Sequence, residues 1–355
     1  MKTKLVYVLT CAEEGTYIEQ ALISAYSARY HNPDAHIVLI VDDKTNELLV
    51  GMRAEVLEYI TEKIVIPFED TTLMPMYRSR YIKTQVRELV AGDLLFIDSD
   101  TVINQSLEEI DQCPYDVAAV PESNLQISEF HPDIYKKMCE SADKLRWNYV
   151  GEEYYFSSGV IYAKDTPKAH QLFQLWHQYW QEGLNLEVRI DQPSLAKANI
   201  ECGHVIQLID NHWNCIMFTY PRMAKEAYIL HFAAYRNMSF LFSKRVLGYI
   251  KENGLTEYVK DYIKHPCNSY IPFDSEFYHY KLKDYIKCYN ILEKGVKNYA
   301  MYIDATFADY SPKNVVYKFL RSGFYKLAIT TLLILKWRRT RLNKKYKCIE
   351  NICAK

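Results

Sequence analysis

Three apolar runs separated by helix-patterned segments dominate the first hundred residues and constrain what they can fold into. Leu5 to Leu9, Ile37 to Val41 and Leu94 to Ile97 are apolar at successive positions, so neither face of these strands can meet water. Strands buried on both faces belong to parallel sheets with helices packed on each side. Between the first two runs, Ile18, Leu22, Ala25 and Tyr26 recur at helical spacing and predict a helix over Ile18 to Tyr30. A short strand over Lys63 to Ile66 and a helix around Arg80 to Leu89 lead into the Leu94 run. The expected fold is a doubly wound α/β sheet of the nucleotide-binding kind. Ligands of such sheets sit beyond the carboxyl ends of the strands, which puts Thr10, Asp42, Asp43 and the segment after Ile97 around one crevice.

Beyond Ile97 the rhythm loosens. Val117 to Val120 reads as a strand, Ser123 to Trp147 as a polar stretch with helical patches, and Tyr154 to Tyr162 as a return to β structure. Pro167 to Gln181 is an amphipathic helix, Asp191 to Ala198 a short helix, and His204 to Ile209 another strand, followed by the apolar Ile229-Leu230-His231-Phe232 segment. No internal repeat or low-complexity linker interrupts this order.

The 355 residues are 49% hydrophobic, with 43 Lys+Arg against 44 Asp+Glu. That combination excludes a disordered chain and argues against a nucleic-acid binder, which would carry a basic excess. The nine cysteines are scattered with no CxxC pair, so neither a zinc ribbon nor a disulfide scaffold fits. The first apolar run ends before Glu13 and Glu14, too early for a signal peptide. A reducing, cytoplasmic setting is the resulting expectation.

Near-neutrality is a cancellation. Residues 313–355 hold twelve Lys+Arg against the single acid Glu350, so residues 1–312 hold 31 basic and 43 acidic residues. In the tail Val316, Phe319, Leu320, Phe324 and Leu327 share one helical face, with Lys318, Arg321 and Lys326 on the other. Its longest uncharged run, Leu327 to Leu335, cannot span a bilayer, which needs about 20 residues. A basic amphipathic segment lying on the anionic inner face of a membrane is the expected role, set against an ordinary docking helix with a solvated tail. The expected organisation is a catalytic domain over residues 1–238, a helical region over 239–312 and the membrane-associating tail over 313–355.

The sharpest chemical signal is Phe96-Ile97-Asp98-Ser99-Asp100-Thr101-Val102, two carboxylates spaced i and i+2 directly after a buried strand. Such acids can hold a hard divalent cation, which can in turn neutralise a diphosphate. Upstream, Arg80 and Lys83 stand three apart on one face of the helix feeding that strand, within reach of phosphate oxygens; the alternative is that both are exposed helix charges. Further on, Tyr155-Phe156-Ser157-Ser158-Gly159-Val160 sets small residues on a strand where a ligand can approach the backbone, or where the strand merely bends. Arg189-Ile190-Asp191-Gln192-Pro193 puts an acid and an amide at a helix start, where Asp191 is either a site residue or an N-cap. His231, at the end of its apolar strand, offers a nitrogen ligand for a metal such as Mn²⁺ or is a structural histidine.

In this order the motifs resemble those of the family-8 glycosyltransferases, retaining enzymes of the GT-A fold, over roughly residues 4 to 235. The resemblance implies a mixed sheet of GT-A type and a nucleotide-diphosphate sugar, usually a UDP-sugar. It implies Mn²⁺, or Mg²⁺, held by Asp98, Asp100 and His231. Arg80, Lys83 and Ser99 would contact the donor, with Thr10 at the nucleotide, Ser157 at the sugar-contact position and Arg236 in place of the family's diphosphate lysine. Asp191 and Gln192 would sit beside the transferred sugar. An amide is a poor nucleophile, so front-face departure and attack within an ion pair, with retention of configuration, is the expected chemistry. The basic tail points to a lipid-linked or surface-glycan acceptor.

Two rivals belong to other classes. Asp98-Ser99-Asp100-Thr101-Val102 also satisfies the DxDx[TV] loop of haloacid-dehalogenase-type phosphatases, although that class opens with the loop and here some ninety residues precede it. A non-enzymatic scaffold with a degenerate transferase fold would show no metal-dependent affinity for UDP.

Overall fold

The structure, a computed structural model, describes residues 1–68, 74–130, 132–217, 223–232 and 241–266. Along the chain run β1 (Lys4–Leu9), α1 (Tyr17–His31), β2 (Ile37–Asp42), α2 (Asp43–Leu48), β3 (Glu62–Ile66), α3 (Pro75–Lys83), α4 (Val86–Leu89), β4 (Leu94–Ile97) and β5 (Thr101–Ile103). There follow β6 (Val117–Pro121), α5 (Pro132–Leu145), β7 (Phe156–Ala163), α6 (Pro167–Asn185), α7 (Gln192–Glu201), β8 (Ile206–Leu208), β9 (Cys215–Ile216), β10 (Ile229–His231), α8 (Lys244–Asn253) and α9 (Glu257–Lys264).

Seven strands form one mixed sheet in the order β3-β2-β1-β4-β7-β6-β8. β1 pairs in parallel with β2 and β4, whereas β7 runs antiparallel to both β4 and β6. This is the doubly covered α/β sheet expected from the apolar runs. Alternation along β1 sends Leu5, Tyr7 and Leu9 into one core and Val6 and Val8 into the other. The first core includes residues of α1, α8 and α9; the second includes residues of α3, α4, α6 and α7. A smaller apolar cluster joins α5 to Trp147, Tyr155 and Val188.

A second, three-stranded sheet in the order β5-β10-β9 decides where the chemistry sits. β10 lies antiparallel to β5 with His231 opposite Thr101, and the Phe232 amide donates to the Asp100 carbonyl at 3.0 Å. The Asp98 amide donates to the Gly159 carbonyl at 2.8 Å. The loop leaving β4 is thereby tied to β10 on one side and to β7 on the other.

Several local expectations change. The single helix around Arg80 to Leu89 is two, α3 and α4, broken at Thr84-Gln85. The Thr84 hydroxyl donates to the Arg80 carbonyl at 2.9 Å and also meets His177 Nδ1 at 2.7 Å, so the chain turns to follow α6. The stretch 123–147 carries one long amphipathic helix, α5, preceded by Ser123 and Asn124 in left-handed backbone conformation (φ 59° and 55°). α6 extends to Asn185, and α7 begins at Gln192. Of the region 239–312 only residues 241–266 are described, and the tail 313–355 lies outside the described residues. No helix among the described residues is long and apolar enough to cross a membrane.

Candidate functional site

A cleft of about 550 Å³ opens at the carboxyl ends of β1 and β4. Thr10, Arg80, Lys83, Asp98, Ser99, Asp100 and Asp191 all line it, so most of the site residues drawn from sequence meet in one place. Tyr17, Met74 and Met76 add exposed apolar surface to the same lining. The cleft therefore pairs a charged floor with side chains suited to the flat or apolar face of a ligand.

The floor is a network of alternating charges. Lys83 Nζ lies 3.1 Å from Asp98 Oδ1 and 3.4 Å from Asp191 Oδ2, and it donates to Ser158 Oγ at 3.3 Å. Arg80 Nε lies 3.3 Å from Asp191 Oδ1. Burial pulls the Lys83 ammonium down, but Asp191 and Asp98 outweigh burial and raise it above its ordinary value. For Asp191 burial pushes the carboxyl up, yet Lys83, Arg80 and Ser158 together hold it below the usual carboxylate range. Asp98 is pushed upward, because burial and its neighbours Asp100 and Asp191 outweigh the help of Lys83 and His231. Two cations and three acids thus share one half-dry cleft.

Asp191 stands at the N-cap position of α7, but its backbone is helical and its side chain makes no capping bond; the carboxylate is turned to Arg80 and Lys83 instead. Its position is set from behind by α6, where buried Trp176 donates Nε1–H to the Asp191 carbonyl at 2.8 Å.

Asp98, Asp100 and His231 each offer one ligand atom, all within 4.8 Å of one another. His231 Nε2 stands 3.3 Å from Asp100 Oδ1, and its side chain is buried, 7% exposed. Asp100 and Asp98 raise the imidazole above its ordinary value against the pull of burial. Two carboxylate oxygens and one imidazole nitrogen suit a divalent ion that accepts both donor types, as Mn²⁺ does. Space for the cluster depends on Gly159 of β7, where a Cβ would lie 2.3 Å from His231 Cε1 and 3.0 Å from Asp98 Oδ2.

Other residues fall elsewhere. Asp42 does not line the cleft: it is fully buried, its side chain accepts from the Thr45 amide to cap α2, and it pairs with buried Arg78. Asp43 is also outside the lining. On β7 it is Ser158 that lines the cleft, whereas Ser157 accepts from Asn214 Nδ2 and the Gly159 amide, both at 3.3 Å. Gln192 sits next to the lining residue Asp191 with its amide nitrogen donating to Glu122 Oε2 and the Phe156 carbonyl, both at 2.9 Å. Arg236 lies outside the described residues. Sequence reading missed Ser158, Glu122 and Asn214. Strand alternation signals that one of two adjacent serines faces the cleft, but Asn214 in its short turn carries no signal.

A family model described as glycosyl transferase family 8 matches residues 8–236. No curated protein matches the chain significantly. Among solved structures, the chain is similar to the galactosyltransferase LgtC in complex with donor and acceptor sugar analogs, with a TM-score of 0.48 and 13% identity over 73% of this chain and 99% of that one. It is also similar to mouse xyloside xylosyltransferase 1 in its apo form, with a TM-score of 0.44 and 14% identity over 66% and 98% of the two chains. The apo glycosyltransferase GlyE of Streptococcus pneumoniae TIGR4 gives a TM-score of 0.42 and 13% identity over 75% and 64%.

Proposed function

The chain belongs to glycosyl transferase family 8, and from that premise we propose a metal-dependent, retaining hexosyl transfer from a UDP-sugar to a surface-glycan or glycolipid acceptor. The observation that carries this reading is that Asp98 and Asp100 line one cleft with Arg80 and Lys83 while His231 stands behind them within ligand distance of both carboxylates.

Asp98, Asp100 and His231 would hold the cation, Mn²⁺ in preference to Mg²⁺ because one donor is an imidazole. A cation there supplies electrostatic stabilisation of the charge that develops on a leaving diphosphate. Arg80 and Lys83 add fixed positive charge on the same side, and a donor diphosphate would draw them away from Asp191. Asp191, freed in part from those partners, and the neighbouring Gln192 would face the transferred sugar. An amide at that position favours departure and attack on one face with retention of the anomeric configuration. Thr10 has its hydroxyl committed to the Pro75 carbonyl at 2.7 Å, so its contribution to nucleotide binding is to hold the lip of the cleft.

The catalytic unit in this reading is residues 1–238, with 239–312 a helical region that shapes the acceptor side and 313–355 a basic tail on the anionic inner face of the membrane. The tail's twelve basic residues offset the acidic excess of residues 1–312, which an anionic surface would otherwise repel.

The direct test is UDP release across a panel of UDP-sugars, with Mn²⁺ and with chelator. Turnover with one donor that vanishes on chelation is expected; an enzyme equally active without metal would overturn the reading. Anomeric NMR of the product should report retention. Deletion of 313–355 should move the protein from the membrane to the soluble fraction.

A further inference from the structure

Buried behind the acid cluster is a side-chain chain that does not touch the cleft. His231 Nδ1–H donates to Asn214 Oδ1 at 2.9 Å, and Asn214 Nδ2 donates to Ser157 Oγ at 3.3 Å. Asn214 is fully buried and Ser157 nearly so. The backbone of this turn is itself pinned: Asn124 Nδ2 donates to the Asn214 carbonyl at 2.8 Å, and the Ile216 amide donates to Asn124 Oδ1 at 2.8 Å. Asn124 does this from a left-handed conformation, φ 55°, which an asparagine adopts at a cost the surroundings must repay.

We infer that Asn214 is the positioning residue of the metal centre: its amide oxygen accepts the hydrogen bond of His231 Nδ1–H and so presents Nε2 as the ligand atom. A buried imidazole nitrogen carries its proton where an acceptor waits for it. Asn214 Oδ1 supplies that acceptor on the side away from Asp98 and Asp100, so that Nε2, 3.3 Å from Asp100 Oδ1, is the nitrogen that would give up its proton to a cation bound there. Turning the ring away would orphan Nδ1–H and Asn214 Oδ1 together in a buried site. Ser157 anchors the amide nitrogen, which explains why a serine that faces away from the cleft sits beside the cleft-lining Ser158. Outer partners of ligating histidines orient the ring and raise its basicity, and their loss weakens metal binding about 10- to 100-fold.

This assignment rests on the metal reading proposed above. It is tested by Mn²⁺ binding to the full chain, followed by the electron paramagnetic resonance signal of free Mn²⁺. Asn214→Ala should weaken Mn²⁺ about 10- to 100-fold, and Asn214→Asp, which keeps an acceptor at the same place, should bind at least as tightly as the parent. On a His231→Ala background Asn214→Ala should cost nothing further, because Asn214 acts through that ring. Unchanged affinity in Asn214→Ala, or a further large loss in the double variant, overturns the assignment while leaving the metal reading intact. Absence of Mn²⁺ binding by the parent chain overturns the metal reading and this assignment together. Should Asn214→Ala lose its circular dichroism, Ser157→Ala takes its place: a several-fold weakening is expected, and unchanged affinity overturns the role of the chain.

Discussion

Gly159 and His231 occupy adjoining space so closely that no side chain fits between them: a Cβ on Gly159 would lie 2.3 Å from His231 Cε1. The neighbour that would have to yield is a buried ring, and Asp98 Oδ2 closes the other side at 3.0 Å. Gly159→Ala should therefore displace His231 from Asp98 and Asp100 at an overpacking cost of about 1–3 kcal/mol. Thermal melts and Mn²⁺ titration check this together, and a variant that binds Mn²⁺ as the parent does would contradict it.

Lys83 is the cation that neutralises Asp98 and Asp191 before any ligand arrives. Replacing it with methionine keeps the volume and leaves two acids in a buried site with one cation fewer, at a cost of about 3 kcal/mol. A divalent ion on Asp98 would restore part of that loss. Lys83→Met should accordingly gain more in Tm on adding Mn²⁺ than the parent does, while its kcat falls about a hundredfold because a fixed charge on the leaving group is missing. Equal Mn²⁺-induced shifts in the two proteins would count against this account.

How much of this was legible beforehand follows from what each signal depends on. The apolar runs of β1, β2 and β4 set the sheet, because a strand hydrophobic at every position has only one kind of environment. Asp98 and Asp42 looked alike in sequence, each an acid at a strand end. Arg78 tells them apart by burying itself against Asp42, and that contact joins residues far apart in the chain. Thr84 ends α3 through His177, ninety-three positions away, so local propensity over Arg80 to Leu89 gave no warning. Residues that face the ligand were legible as charges at strand and helix ends. Residues that hold them, such as Trp176 behind Asp191, were visible only as ordinary core.

His170 links two elements away from the cleft. Its Nδ1 lies 2.8 Å from Glu88 Oε1 and its Nε2 2.9 Å from Asp165 Oδ1, and hydrogen bonds to Asp165 and Glu88 raise its pKa above the ordinary 6.5. A raised histidine stabilises the fold fully below its unfolded value, and that contribution disappears as pH rises through the folded value. His170→Gln should therefore lower Tm at pH 5.5 and have a smaller effect at pH 8.5. The partly exposed setting limits the difference to about 1 kcal/mol or less. Melts of both proteins at the two pH values decide it, with a larger deficit at pH 8.5 being the contrary result.

Arg53 ties the segment between β1 and α1 to the body. Its Nε donates to Glu19 at 2.7 Å, and its two terminal nitrogens donate to the carbonyls of Glu13 and Gly15 at 3.1 and 2.5 Å. Glu19 is 1% exposed, so Arg53→Met would strand a buried carboxylate and cost about 3–5 kcal/mol. Adding Glu19→Leu removes the stranded charge and should restore most of that stability. It cannot restore the Arg53 contacts to the Glu13 and Gly15 carbonyls, which help position the turn leading to Tyr17 at the cleft. The double variant should thus melt near the parent temperature yet show a raised KM for the donor with kcat little changed. A double variant that recovers both stability and KM would show that Arg53 serves the fold and not the cleft.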